Sequence, residues 1–438
     1  MQSSFENKNQ SLSYLSDWFG VRKKTIELYI KAESELKERF NEIDDVAAYN
    51  QLKVLKAFQN NRISYAHFGE TTGYGYDDMG RDALDKVYAE IVGAEDAMVR
   101  HNIVSGTQAI SACLFGVLRP GDILASVVGA PYDTMEEVIG IRDGEYPDTG
   151  SLKDFGVDYR QVDLIGGEQI DYKGIEKLVS ENKIKAVLIQ RSRGYDWRSS
   201  LTVSEIGRII KTVKDISPET LCIVDNCYGI FVEKEEPTEY GADLIVGSLI
   251  KNAGGSLALS GGYIAGTEEC VRKVGYRLTA PGLGKHVGAS LGMNRNMYQG
   301  LFMAPNVVSE SVKTAVLCAA MFEKLGFDVC PCVNSARSDI IQAVKLNTPE
   351  NVIKFCQAIQ KGSPIDSYVT PEPWDMPGYE SQVIMAAGAF VQGASIELSA
   401  DAPIEPPYTA YMQGGVIYNS AKIGILKAAD EFIENIKG

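Results

Sequence analysis

Lys251 ends an apolar, β-branched run, DLIVGSLIK, and is followed by glycine-rich stretches, AGG and SGG, that cannot continue a strand. Burial makes an ammonium costly to desolvate, so a lysine held at the end of a buried strand is expected to have a lowered pKa and a usable, nucleophilic amine. Schiff-base chemistry uses such a lysine. Most strand-end lysines are simply solvated, so the weight of Lys251 depends on its company. Ser105-Gly106-Thr107-Gln108 follows one apolar segment and opens a helical pattern. The free backbone N–H groups of such a helix start, with no side chain at Gly106, suit a phosphate, although the same residues also make an ordinary cap. Tyr132 in APYDT follows the next apolar segment, and LCIVD finishes on Asp225, either a loop acid or a partner for a cation in a cleft. Ser248 adds a hydroxyl three positions before the lysine.

These residues need elements to bring them together. The pattern predicts helix 82–92, strand 97–104, helix 107–117, strand 122–128 and, after a long loop, strand 158–164. Helix 173–181, strand 185–191, helix 203–214 and strands 220–225, 243–248 and 261–266 follow. Strands alternating with helices imply an α/β domain with a mostly parallel sheet of seven strands, over residues 66–305. Ligands of such sheets bind beyond the carboxyl ends of the strands, where the residues above fall. Residues 1–65 read as an N-terminal helical arm. Residues 306–438 read as a smaller α+β domain: a long helix 307–325, strand 338–346, helix 349–361, an apolar run 382–393, strand 394–399 and helix 420–436.

Composition narrows the partners. The 438 residues carry a formal net charge of -15, which disfavours nucleic acid and anionic membranes, since both reward clustered Lys and Arg. No apolar run spans a bilayer and the start lacks the regions of a signal peptide, so the expected compartment is the cytoplasm. The eight cysteines sit mostly within apolar patterns and the three histidines are scattered, so no metal site is expected. A phosphate cradle, a stacking aromatic, a carboxylate for a pyridinium nitrogen and a Schiff-base lysine are together what pyridoxal 5'-phosphate requires of a protein. The same set of residues also supports transamination or aldol cleavage, and a cofactor-binding protein without turnover in stress or metal resistance is a further alternative.

VSGTQAI (104–110), CIVDN (222–226) and GSLIK (247–251) resemble the motifs of the pyridoxal-phosphate enzymes of sulfur amino acid metabolism, which share the aspartate-aminotransferase fold (fold type I). GYGYDDMGRDAL, QRSRGY, MPGYE, GASIELSAD and YMQGG extend the resemblance to the methionine γ-lyase-like and cystathionine β-lyase-like branch known as the aluminium resistance family. The resemblance implies a carbon–sulfur lyase with Lys251 as the covalent lysine, Asp225 at the ring nitrogen, and Tyr132 stacking on the ring and protonating the leaving group. It also implies Ser105, Gly106, Thr107 and Ser248 around the phosphate. Tyr76 and Arg81 would reach the cofactor of a neighbouring subunit, in a homodimer or homotetramer. The late arginine that usually holds the substrate carboxylate is missing, which leaves Arg337, Arg191 and Arg193 as candidates. Ile250 stands where a hydroxyl residue often precedes the lysine.

Overall fold

A computed structural model describes residues 12–142, 149–376 and 381–435. The MPGYE motif, apart from Met376, and the first residues of the arm lie outside these. The chain forms two compact units, one of residues 48–305 and one of residues 1–47 with 306–438. The arm drawn over 1–65 is therefore divided: its first helices pack with the carboxyl-terminal segment, and residues from 48 onward belong with the large sheet.

In the unit of residues 48–305, seven strands form one sheet: β1 (Asp96–Arg100), β2 (Ile123–Ser126), β3 (Asp158–Gln161), β4 (Ile184–Gln190), β5 (Leu221–Asp225), β6 (Leu244–Ser248) and β7 (Gly262–Gly266). Their order is β1-β7-β6-β5-β4-β2-β3. All neighbours run parallel except β7, which is antiparallel to both β1 and β6. The parallel strands need crossovers, and the helices Gly106–Val117, Tyr172–Glu181 and Val203–Ile216, named α5, α7 and α8 in chain order, lie between strands, while α4 (Met79–Val92) precedes β1. Two further helices, α6 (Asp133–Ile139) and α9 (Glu268–Leu278), were not anticipated. Strands β4 to β6 are buried along nearly their whole length, which is why they read as continuous apolar runs. Met98, Cys113, Leu124, Leu188, Ile223, Val246 and Ile264 belong to one core cluster. Within this core an ion pair, Asp85 to Arg100 at 2.7 Å, ties α4 to β1, and Asp85 also accepts the N–H of Val99 at 2.8 Å.

In the other unit, β8 (Asp328–Cys330), β9 (Ile341–Lys345), β10 (Val383–Ala387), β11 (Ser399–Pro403) and β12 (Thr409–Gln413) form an antiparallel sheet in the order β10-β11-β12-β9-β8. It carries α11 (Pro349–Lys361) and α12 (Tyr418–Glu431). The amino-terminal helices α1 (Ser13–Asp17) and α2 (Lys23–Glu35) also belong here. Buried Lys422 of α12 donates to Tyr29 Oη of α2 at 3.1 Å, and Arg22 pairs with Asp430 at 3.0 Å. Two helices carry the chain from one unit into the other, α3 (Lys37–Asn60) and α10 (Asn294–Lys324).

Three expectations are corrected here. The long helix starts at Asn294, not 307, because the structure carries it through Pro305, a residue that ordinarily marks a helix boundary. Residues 394–398 are not a strand; the strand is Ser399–Pro403. The alternation in GASIELS misleads because Glu397 is buried and its carboxylate accepts the N–H groups of Phe390 at 2.7 Å and Val391 at 3.0 Å, which closes 390–397 into a loop around the acid. Strands β8 and β12 were missed, being three and five residues long.

Candidate active site

The carboxyl ends of β5 and β6 lie side by side, since Asp225 pairs in register with Val246. Asp225 is the last residue of β5, and its Oδ1 accepts the N–H of Cys227 at 3.0 Å, which curls the following segment across the sheet edge. Ser248 ends β6 and is buried, and half-buried Lys251 follows in the turn. Its amine stands 3.8 Å from the centre of the Tyr228 ring.

Helix α5 starts against the same edge. Ser105 caps it, its Oγ accepting the N–H of Gln108 at 3.0 Å, while Gln108 Oε1 accepts the N–H of Val104 at 2.7 Å. A capped start still leaves the first N–H groups of the helix without intrahelical acceptors. Gly106 is required at this point: a Cβ there would lie 2.9 Å from Cys227 Sγ and 3.8 Å from Ser248 Cβ. The absent side chain leaves backbone donors facing the edge, the arrangement that receives a phosphate. Thr107 Oγ1 lies 2.8 Å from Thr134 Oγ1, which joins this helix start to α6. Tyr132 stands immediately before α6, half-buried, with its ring 6.3 Å from that of Tyr195 in the loop after β4. The structure thus places Gly106, Asp225, Ser248 and Lys251 around Cys227, with Ser105 and Thr107 on the same helix start and Tyr132 two residues before Thr134, which Thr107 meets.

The electrostatics of this cluster differ from the expectation. Burial depresses the Lys251 amine as anticipated, but Cys227, Tyr228 and Asp225 together more than cancel it, and the net shift is upward. Burial also pushes the Cys227 thiol up to about 12, with Asp225 adding to the shift and Lys251 opposing it. A thiol that weak is neutral at ordinary pH. The lysine is held charged at rest and becomes nucleophilic only on losing a proton.

The candidate arginines separate. Arg191 is fully buried and committed: Nη1 donates to Asn226 Oδ1 at 2.7 Å and faces Glu236 at 3.5 Å, and Nη2 donates to Glu233 at 2.8 Å. Gly229 permits this, because a Cβ there would lie 2.4 Å from Arg191 Nη1. Arg191 therefore braces the segment that follows Asp225, and its guanidinium is turned to carboxylates of its own chain. Arg193 is also fully buried, on the loop that carries Tyr195. Arg337 belongs to the other unit, where Nη2 donates to Gln342 at 2.6 Å.

Arg81 is likewise a clamp. Its guanidinium donates to the carbonyls of Gly75 at 2.6 Å, Gly288 at 2.8 Å and His286 at 3.3 Å, and to Asp82 at 2.9 Å. This joins segment 71–78 to segment 286–291, reinforced by Gly288 N–H to the Tyr74 carbonyl at 2.8 Å. Tyr74 and Tyr76 stack loosely, 5.6 Å apart, and Tyr76 is 59% exposed. A cavity of about 480 Å³ bordered by Asn60, Arg62, His67, Met79 and Lys86 shares no residue with the Lys251 cluster, and the convergence of groups rather than concavity marks the site. Among the described residues no group of three His, Cys, Asp or Glu could hold a metal, and no helix is long and apolar enough to cross a membrane.

Cys227, Tyr228, Asn226 and Asn252 were not singled out from the sequence. Their only sign there is position, within three residues of Asp225 or next to Lys251.

The residues at the edge fit pyridoxal phosphate: a glycine-lined helix start for the phosphate, a strand-end carboxylate and a lysine amine. The model of the methionine gamma-lyase family matches residues 25–433. The protein named Uncharacterized protein YnbB of Bacillus subtilis strain 168 is 49% identical over 405 residues, 92% of this chain and 96% of its own. The crystal structure of a carbon-sulfur lyase involved in aluminum resistance from Clostridium novyi NT is 50% identical, with a TM-score of 0.92 over 96% of this chain and 99% of its own. The pyridoxal-5'-phosphate dependent protein YhfS from Escherichia coli is 16% identical and shares the fold, with a TM-score of 0.60 over 88% of this chain and 96% of its own. With the match running through both units and the lysine, carboxylate and helix start meeting at one sheet edge, the chain belongs to the methionine gamma-lyase family of pyridoxal-phosphate-dependent carbon–sulfur lyases.

Proposed function

We propose that the chain cleaves the carbon–sulfur bond of a sulfur amino acid of the cystathionine or methionine type by β- or γ-elimination. The products are a thiol, ammonia and a 2-oxo acid, with water supplying the oxo oxygen. The observation that carries this reading is the meeting of Lys251, Asp225 and the Gly106 helix start at adjoining strand ends. When bound, pyridoxal phosphate supplies an electron sink for the bond broken at the substrate α-carbon. Lys251 would hold it covalently, Asp225 would keep its ring nitrogen protonated, and the Gly106 and Thr107 N–H groups with Ser248 would hold its phosphate. Ser105 orients that helix start through its cap, and Tyr132 would lie against the ring.

The protein's own steps follow. Lys251, when its amine is not joined to the cofactor and has lost its proton, would remove the substrate α-proton as a general base. Tyr132 donates a proton to the departing sulfur. Of the three arginines, Arg193 is favoured for the substrate carboxylate, because it sits on the loop whose Tyr195 meets Tyr132. Tyr76, exposed beside Tyr74 and Leu291 on the two segments that Arg81 joins, forms part of an aromatic and apolar face suited to a second copy of the chain. Tyr76 would reach the partner's site from there, in a dimer or a tetramer, and Arg81 would fix the platform.

The test is to incubate the holoenzyme with cystathionine, methionine, homocysteine, serine and alanine, and to measure thiol, ammonia and oxo acid. Equimolar release of all three from a sulfur amino acid is expected. Oxo acid that forms only after an acceptor oxo acid is added, without thiol, refutes elimination in favour of transamination.

The phosphate cradle gives a second expectation. In Gly106→Ala the new methyl lies 2.9 Å from Cys227 Sγ, so either the helix start or the thiol must shift. Overpacking of this kind is worth about 1–3 kcal/mol, and cofactor affinity should fall by about tenfold or more. Titration of the visible absorbance with added cofactor measures this, and Cys227→Ala in the same chain should recover part of the loss.

A further inference from the structure

The Lys251 amine lies over the face of Tyr228, 3.8 Å from the ring centre, a distance at which an aromatic ring holds a cation. Tyr228 has φ +61°, in the left-handed region that a tyrosine adopts only when its surroundings hold it there. The hold comes from Asn252. Its side chain is buried, and its Nδ2 donates to the carbonyls of Tyr228 at 2.8 Å and Ile230 at 3.1 Å. The residue next to the lysine therefore fixes the backbone that carries the ring beneath the lysine. The same turn positions both partners of one contact.

Other groups face the amine as well. Asp225 and Cys227 approach it from the segment after β5, and the buried hydroxyl of Ser248 lies three residues before it, at the end of β6. The thiol stands between this group and the start of α5. Among these groups, Tyr228 offers the surface on which the ammonium rests.

We infer that Tyr228 is the resting place of the Lys251 amine whenever it is not joined to the cofactor, and that Asn252 is the positioning residue that keeps the ring there. The inference rests on the reading of Lys251 as the covalent lysine. Its consequence is that a lysine displaced by substrate stays inside the site as a localised cation, and must leave the ring as it loses its proton. Removing the ring leaves burial less opposed, so the amine should titrate at lower pH.

The test is competitive labelling of the full chain, free of cofactor, with a trace of acetic anhydride from about pH 7 to about pH 12, a range that extends above the ordinary lysine value because Lys251 is shifted upward. Mass spectrometry reads Lys251 against Lys285, an internal reference that is ion-paired to Asp96. In Tyr228→Leu the pH at which Lys251 labelling bends over should fall by about one unit, the range set by a cation–π contact. Greater access alone would raise the curve without moving its bend. Tyr228→Phe keeps the ring and should shift less, whereas Asn252→Ala should shift in the same direction as Tyr228→Leu. An unmoved bend in Tyr228→Leu, with Lys285 labelling unchanged, overturns the inference. If that variant does not fold, an unmoved bend in Asn252→Ala overturns it. Labelling does not depend on turnover, so failure of the lyase reading would show separately, as a Lys251→Ala chain that keeps its visible absorbance.

Discussion

Replacing Lys251 by alanine should remove the visible absorbance of the bound cofactor and lower turnover by about 10⁴-fold or more, since it deletes the covalent anchor and the general base together. The structure sharpens what else is expected. Lys251→Ala also removes the cation that lies beside Asp225 and over Tyr228, yet the residue as a whole is only half-buried and lies in a turn, so the loss of fold stability should be small beside the loss of activity. Absorbance spectra of the purified variant with added pyridoxal phosphate, together with thiol release, check this. A variant that keeps both its absorbance and its turnover refutes the assignment. Lys251→Arg is the informative companion, because it keeps a cation over the ring without a transferable proton near neutral pH. It should fold as the native chain does and be as inactive as the alanine variant.

The largest effect on stability is expected at Arg191. Arg191→Met keeps most of the buried volume but leaves Glu236, itself fully buried, without its cation, while half-buried Glu233 can turn to water. Breaking a buried ion pair from one side typically costs about 3–5 kcal/mol. The pH dependence has a definite sign. Burial raises the Glu236 carboxyl above its ordinary value, and Arg191 is the main group that opposes the shift. A carboxyl whose folded pKa is raised contributes stability that is fully present below its unfolded pKa and is lost as pH rises through the folded one. Without Arg191 the carboxyl moves higher still, so more stability is lost on the way to neutral pH. The deficit of Arg191→Met, measured by urea unfolding, should be larger at about pH 8 than at about pH 5. An equal deficit at both would mean that Glu236 is not the group left stranded. Because Asn226 binds both Arg191 and Glu236 and adjoins Asp225, the variant should also weaken cofactor binding.

What was legible in the sequence follows from what a strand end looks like in one dimension. Asp225 and Lys251 each close an apolar run, so polarity changes close to where the chain leaves the sheet, and the expected strands correspond to all seven of the large unit, although β3, DYRQ, is largely exposed. Ser105 to Thr107 were visible because a helix start has its own residue preferences. The roles of the arginines were not visible. Arg191 and Arg193 occupy equivalent places in QRSRGY, and only folding shows that Glu233 and Glu236, more than forty residues away, take up the first. Cys227 looked like apolar filler, and nothing in one dimension shows that it stands under Gly106. Lys251 was expected to be depressed because burial was the one influence a sequence offers, while the opposing neighbours are supplied by the turn after β5. The strand expected at 394–399 was misplaced because nothing in one dimension shows Glu397 as an acid that gathers backbone donors and holds 390–397 in a loop.

Arg81 carries a consequence for assembly kinetics. With its guanidinium spread over the carbonyls of Gly75, His286 and Gly288, the segment bearing Tyr74 and Tyr76 is ordered inside a single chain. A surface that meets those rings encounters a preorganised platform, so little conformational entropy remains to be lost on contact. If a second copy docks there, as proposed, it meets a rigid surface, and changes at Tyr76 should act on how long such a complex lasts rather than on how fast it forms.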